Sequence, residues 1–444
     1  GGARGFAGGR SPPAAADRTA CRPLVDFVVR ARALSLEPGA AQELFDCWSR
    51  PLVRPPGDAG LQGAMPPVAA YRELRFIRAR DKRAEMESAL AAALQPLDGA
   101  RSAVWEAAQT AQSEAGVVPG KSCELYDSPP GSYEWCNSFL DRTDSLAQDL
   151  GGWLLERHTG VRRGAERHDL LHLLWSPRCS SAFPRGELLR TVRRWAEMLR
   201  LDVAAGGSVK LDEDDRPLKW PGALAEPLDP PFEVGLAFLA EEGPRAVGHL
   251  LGALGVAQLR ARPPSDAPPE DLWLGDPALV HASWALLEGL ARDSSFLERC
   301  ARAELSRDDE RAIAISGVID ARIAAARALA SRQAHELGLG ARAAAAHREL
   351  FTRATGADLP AGLALADLDP FGDAELAGRA LAAQVRLYLR DRYDEDWWRN
   401  PRAAASLAAL WNRGGRPNSA DLWAEMGAPA GIDGLVGELL ESCR

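Results

Sequence analysis

Two stretches of the 444-residue chain place histidine where it could hold a metal. The first is His168-Asp-Leu-Leu-His172. Residues four apart share a helix face, so both imidazoles would point the same way, as in helices that give zinc two ligands. Asp169 would stand where a general base is needed, one methylene shorter than the usual Glu and poorly placed to reach a metal-bound water. Cys179 or Glu197 could complete the set, although neither sits in a ligand pattern. The plainer reading is a pair of polar residues on an amphipathic helix whose apolar side carries Leu170, Leu171, Leu173 and Leu174. The second stretch, residues 245–257, reads Arg-Ala-Val-Gly-His-Leu-Leu-Gly-Ala-Leu-Gly-Val-Ala. It looks like a His-Glu-x-x-His metal helix emptied of its chemistry. His249 holds the first ligand position, Leu250 the base position and Ala253 the second ligand position. Leucine takes no proton from water, and alanine has no donor atom.

The elements that would position these residues are mainly helical. Ala and Leu dominate an apolar content of 46%, which favours helices over sheets. Helical stretches are expected over 24–50, 69–115, 135–158, 186–200 and from 244 onward. They are interrupted by Pro- and Gly-rich breaks at 51–67, 117–134, 262–270 and 355–372. Residues 202–244 read differently: short apolar pieces at 208–211 and 232–239, separated by Asp and Pro turns, predict a small sheet or hairpin near 205–240. The Gly-, Pro- and Ala-rich residues 1–20 are expected to form a disordered tail. Neither a P-loop nor a nucleophile elbow is present.

Composition narrows the function. A net charge of -9 argues against a nucleic-acid binder, and no apolar run is long enough for a membrane span. Seven cysteines, scattered and without a C-x-x-C pair, favour reduced thiols in a cytoplasmic protein. Asp212 to Asp215 reads as a solvated turn and Trp397-Trp398 as core, with Tyr388 and Tyr393 packing nearby. His158, His335 and His347 are expected as isolated surface residues.

Four segments, in order, resemble the oligoendopeptidase F and thimet oligopeptidase class of zinc metallopeptidases. Residues 160–174 (Gly-Val-Arg-Arg-Gly-Ala-Glu-Arg-His-Asp-Leu-Leu-His-Leu-Leu) look like the approach to its catalytic half. Residues 216–239 look like the strand-bearing segment before the zinc helix. Residues 276–290 (Asp-Pro-Ala-Leu-Val-His-Ala-Ser-Trp-Ala-Leu-Leu-Glu-Gly-Leu) look like the helix that gives the third ligand, and residues 382–398 like the closing helix. The resemblance implies a mainly α body with a central channel and a small sheet on one wall. It also implies an N-terminal helical half, 21–160, continuous with a catalytic-like half, 161–444.

The resemblance places His281 in the third-ligand slot, where the family has Glu. It finds neither Tyr nor His for the oxyanion in 369–386. The chain thus resembles a degenerate member with a vestigial site of His249, Leu250, Ala253 and His281, no catalytic residues and no cofactor. The expected function is binding of a peptide or protein partner by a shell that no longer hydrolyses. Two alternatives stay open. One is an active zinc peptidase with a non-standard site on His168 and His172 or on His249 and His281. The other is a structural subunit whose cleft is filled by its own side chains, among them Leu250, Leu254 and Trp284.

Overall fold

The computed structural model describes residues 15–55, 63–119, 132–161, 164–175, 178–372 and 374–443. Helices carry most of the chain, as the Ala- and Leu-rich sequence predicts, and one large apolar core runs through it from Cys47 to Cys443. No described helix is long and apolar enough to cross a membrane.

Helix ends follow local chemistry. Pro244 starts the Pro244–Ala261 helix directly after Gly243, whose φ of 107° turns the chain into it. The Pro277–Glu288 helix begins at Asp276, whose carboxylate accepts from the Ala278 N–H at 2.8 Å and from the Ser419 N–H at 2.7 Å. The long Arg307–Leu337 helix opens with a capping box between Ser306 and Asp309.

Close packing of the central helices depends on missing side chains. A Cβ at Gly255 would lie 2.1 Å from the Ser283 carbonyl oxygen, and one at Gly252 would lie 2.6 Å from the Trp284 indole. The Pro277–Glu288 helix therefore lies directly on the Pro244–Ala261 helix. The Glu375–Tyr393 helix approaches its other side at Gly378, where a Cβ would meet the His281 Cβ at 2.4 Å.

The strands are short. β1 (Ala165–Glu166) pairs in parallel with β5 (Ala357–Asp358). The larger sheet joins β2 (Val209–Asp212), β3 (Ala223–Asp229) and β4 (Glu233–Phe238) in the order β2-β4-β3. β2 runs parallel to β4 and β3 antiparallel to it, which leaves β3 at an edge. The sheet lies where the sequence places it, with β3 added.

Several expectations need correction. Helix starts at Ala15, inside the stretch expected as tail; residues 1–14 lie outside the described residues. The helix expected over 69–115 is three: Pro67–Leu74, Arg80–Leu94 and Asp98–Glu114. His347 is not a surface residue: it is 2% exposed, with Nδ1 2.6 Å from the Ala364 carbonyl oxygen. His335 is half-buried against Trp105, with Nε2 3.0 Å from the Pro370 carbonyl oxygen. His158 is half-buried too, and its loss of hydration lowers its pKa to about 4, helped by Arg178 and Arg157. Trp397 and Trp398 are core, as expected, with Trp398 edge-on to Phe296. Among the described residues Cys47, Cys136, Cys179, Cys300 and Cys443 are buried and form no disulfide; Cys123 lies outside them.

Candidate functional site

The Pro244–Ala261 helix presents one imidazole to a channel. His249 sits between two indoles, its ring centroid 4.8 Å from Trp175 and 5.5 Å from Trp284, both edge-on. Gly222, at a φ of 97°, closes the third side, where a Cβ would lie 2.9 Å from His249 Nδ1. Burial strips water from the ring and the Arg245 guanidinium one turn earlier repels a proton, so the pKa falls to about 3. His249 is a neutral imidazole at physiological pH.

Of the other residues singled out from the sequence, Leu250 and Ala253 turn away from it, and His281 lines the same cavity. Leu250, Ala253 and Leu254 are 1%, 0% and 2% exposed and belong to the apolar core. The Trp284 indole covers the same helix at Gly252, one residue before Ala253. His281 lies one turn before Trp284 and projects into the channel, with burial lowering its pKa.

His168 and His172 turn to separate partners. His168 Nε2 is 3.0 Å from Glu166 and its Nδ1 3.3 Å from Asp169, whereas His172 Nδ1 is 2.9 Å from the Arg75 carbonyl oxygen. Asp169 accepts from Arg80 at 3.0 Å and Arg83 at 2.9 Å. Burial alone would raise its carboxyl, but His168 and Arg83 hold it well below the usual carboxylate range. It is a structural anion and is not free to act as a base. Among the described residues, one group of His, Cys, Asp and Glu brings three ligand atoms within 4.8 Å of one another: Glu87, Glu166 and His168. Its donors are already taken, because Glu87 accepts from Arg167 at 2.9 Å and from the His168 N–H at 3.2 Å.

The charged floor of the channel was not legible in the sequence. Arg245 grips Asp320 with two hydrogen bonds, of 3.0 and 2.9 Å. Arg379 bridges two carboxylates, reaching Glu288 at 3.0 Å and Glu375 at 2.9 Å. Arg292 and Arg327 stand at the outer ends of this row, 3.7 Å from Glu288 and 3.6 Å from Glu375. Burial would raise the Glu288 carboxyl, but Arg379 and Arg292 outweigh it and hold the group well below its ordinary range. Two signals were present in the sequence: Glu288 lies two helical turns after His281, and Glu375 and Arg379 stand four apart.

Above this floor opens a cavity of about 580 Å³. Trp48, Tyr71, Trp175 and Trp220 line it, with Trp48 and Tyr71 both packed on Trp220 at ring distances of 5.4 and 6.4 Å. The edge strand β3 contributes Ala223 and Leu224 to the same wall.

No family model and no curated protein matches the chain. Solved structures do. A PZ peptidase A with an inhibitor superposes with a TM-score of 0.64 over 96% of this chain and 79% of its own, at 11% identity. A protein assigned as oligoendopeptidase F from Bacillus anthracis gives 0.61 over 96% and 78%, at 10% identity. The chain has the oligoendopeptidase fold. A Pyrococcus furiosus carboxypeptidase is a more distant likeness, with a TM-score of 0.54 over 96% and 84% at 11% identity. Identity this low carries the fold and leaves the chemistry to the residues at the site. Within the oligoendopeptidase fold of this chain, the floor of the channel is a row of ion pairs and one neutral imidazole between indoles.

Proposed function

We propose that this chain is a non-hydrolytic relative of the zinc oligopeptidases that binds a peptide, or an extended segment of a partner protein, in its channel. The observation that carries this reading is an open cavity of about 580 Å³ beside a helix with Leu250 and Ala253 at the base and second-ligand positions. A shell kept only for its shape would gain from filling that space, because apolar burial stabilises. Leu250 and Leu254 pack into the core and leave the cavity open.

The fold implies zinc, and the residues do not fit it. Zinc in a hydrolase needs three protein ligands and an open position for water. Leu250 and Ala253 offer no lone pair, Trp284 covers the turn between His249 and Ala253, and the nearby carboxylates of Glu288 and Glu375 are already engaged by Arg379. We therefore assign no step to a metal and read His249, Leu250, Ala253 and His281 as a vestigial site. The edge of β3 offers unpaired backbone groups to an extended ligand, with Leu224, Glu226 and Leu228 exposed along it. Buried thiols without a disulfide suit a reducing compartment, so we assign the protein to the cytoplasm. We take 21–160 and 161–444 as one body, since a single core spans both.

Fluorescence anisotropy with a labelled mixed peptide library, followed by mass spectrometry of the same samples, tests this reading. The expected result is saturable binding, with every peptide recovered intact and no effect of a chelator. Cleavage that a chelator abolishes would restore the hydrolase reading, and failure of all peptides to bind would remove the binding one.

A further inference from the structure

The Ala15–Leu36 helix is apolar on two faces. On one, Val29 and Ala33 are 2% and 3% exposed and pack on Ala108 and Ala111 of the Asp98–Glu114 helix. On the other, Leu24, Phe27, Val28, Ala31 and Leu34 recur at helical spacing and stand in solvent, the large ones 51–54% exposed. A helix with apolar residues all round is one built to be covered on both sides. Half the surface of these side chains amounts to a patch on the order of 400 Å², the size of a contact site.

Two features of this stripe identify what covers it. Its margins carry no free charge: Arg30 is held by Asp26 at 2.9 Å and Arg32 by Glu114 at 3.0 Å, so a partner laid over it strands no ion. The stripe also matches itself. Leu24 and Leu34 lie five residues either side of Val29, and Phe27 and Ala31 two either side. Against an antiparallel second copy, Leu24 meets Leu34 and each Phe27 ring falls on the small Ala31, large against small as interdigitating helices require. That symmetry is what an isologous contact needs. We propose that this face joins two copies of the chain about a two-fold axis at the level of Val29. The contact would remove on the order of 1,000 Å² from water, the low end for a specific interface, which places the dimer in the micromolar range. The inference is independent of the channel and of what binds there.

Sedimentation velocity on the full chain from 1 to 200 µM, beside Phe27→Glu and Ala31→Glu, tests it. The unmodified protein should pass from monomer to dimer with a Kd of about 1–100 µM. Each variant buries two carboxylates in the contact, one from each copy, and should weaken it by at least about 100-fold. Both residues are exposed in the monomer, so melting temperatures should stay unchanged. Mild oxidation reads the register: Leu24→Cys mixed with Leu34→Cys should cross-link faster than either variant alone. A monomer at 200 µM, or a dimer that survives both Glu variants, overturns the proposal. Cross-linking of Leu24→Cys to itself faster than to Leu34→Cys overturns the antiparallel contact.

Discussion

Exchanging Arg379 for Met is expected to destabilise the protein by about 3–5 kcal/mol, the usual cost of removing one partner from a buried charge pair. The guanidinium donates to Glu288 at 3.0 Å and to Glu375 at 2.9 Å, and the Glu288 side chain is 7% exposed. Two carboxylates would then depend on Arg292 at 3.7 Å and Arg327 at 3.6 Å. The pH dependence separates this loss from a packing defect. In the unmodified protein the Glu288 carboxyl is held below its ordinary value, so it contributes stability at neutral pH that disappears only in strong acid. Without Arg379, burial would push the carboxyl above its unfolded value of about 4.3, a penalty at neutral pH that fades as the group takes up a proton. Urea unfolding at a series of pH values should therefore show the variant closing on the parent as pH falls from neutral toward about 4.3, and further as the parent loses its own contribution in strong acid. A deficit independent of pH would mean that Arg379 matters through its packing alone.

Acid should unfold the protein well before its carboxylates titrate. His249 and His158 are held neutral, with pKa values of about 3 and about 4, against about 6.5 in an unfolded chain. Below pH 6.5 the unfolded state binds protons that the folded state refuses, so stability falls as pH falls. Each such imidazole costs up to about 1.4 kcal/mol per pH unit, so the two together reach on the order of 5 kcal/mol by pH 4.5. Water at the half-buried rings reduces that figure. His172, His335 and His347 are lowered in the same direction, each first by burial, and add to the loss. Replacing His249 by Gln should flatten the profile between pH 6.5 and 4.5. A stability curve already flat in that range for the unmodified protein would show that the imidazoles are hydrated enough to titrate normally.

The helices and their breaks were legible because period, capping residues and Pro or Gly punctuation are local. Pro244 after Gly243 and Asp276 before Pro277 both mark helix starts that the structure has. Strand β3 escapes the sequence pattern because Pro227 interrupts its alternation. The helix expected over 69–115 breaks where Arg75 leaves the surface to pair with Glu241, 166 residues away, while lying over the Trp175 ring. His249 could be read from its helix alone. The rows of charge could not, since Arg379 and Glu288 are 91 residues apart and Arg245 and Asp320 are 75 apart. No local pattern says which of many arginines meets which carboxylate. His347 was misread for the same reason: its acceptor is a backbone carbonyl supplied by the 361–368 segment.

We propose that this body of oligoendopeptidase fold encloses a channel without a metal centre, its floor held by Arg245, Arg379 and their carboxylates. Equilibrium dialysis of the purified protein against zinc, followed by metal analysis beside the His249→Ala variant, tests it most directly. The account predicts zinc well below one ion per chain, and the same trace amount in the variant. One zinc per chain that survives dialysis and is lost with His249 would contradict it.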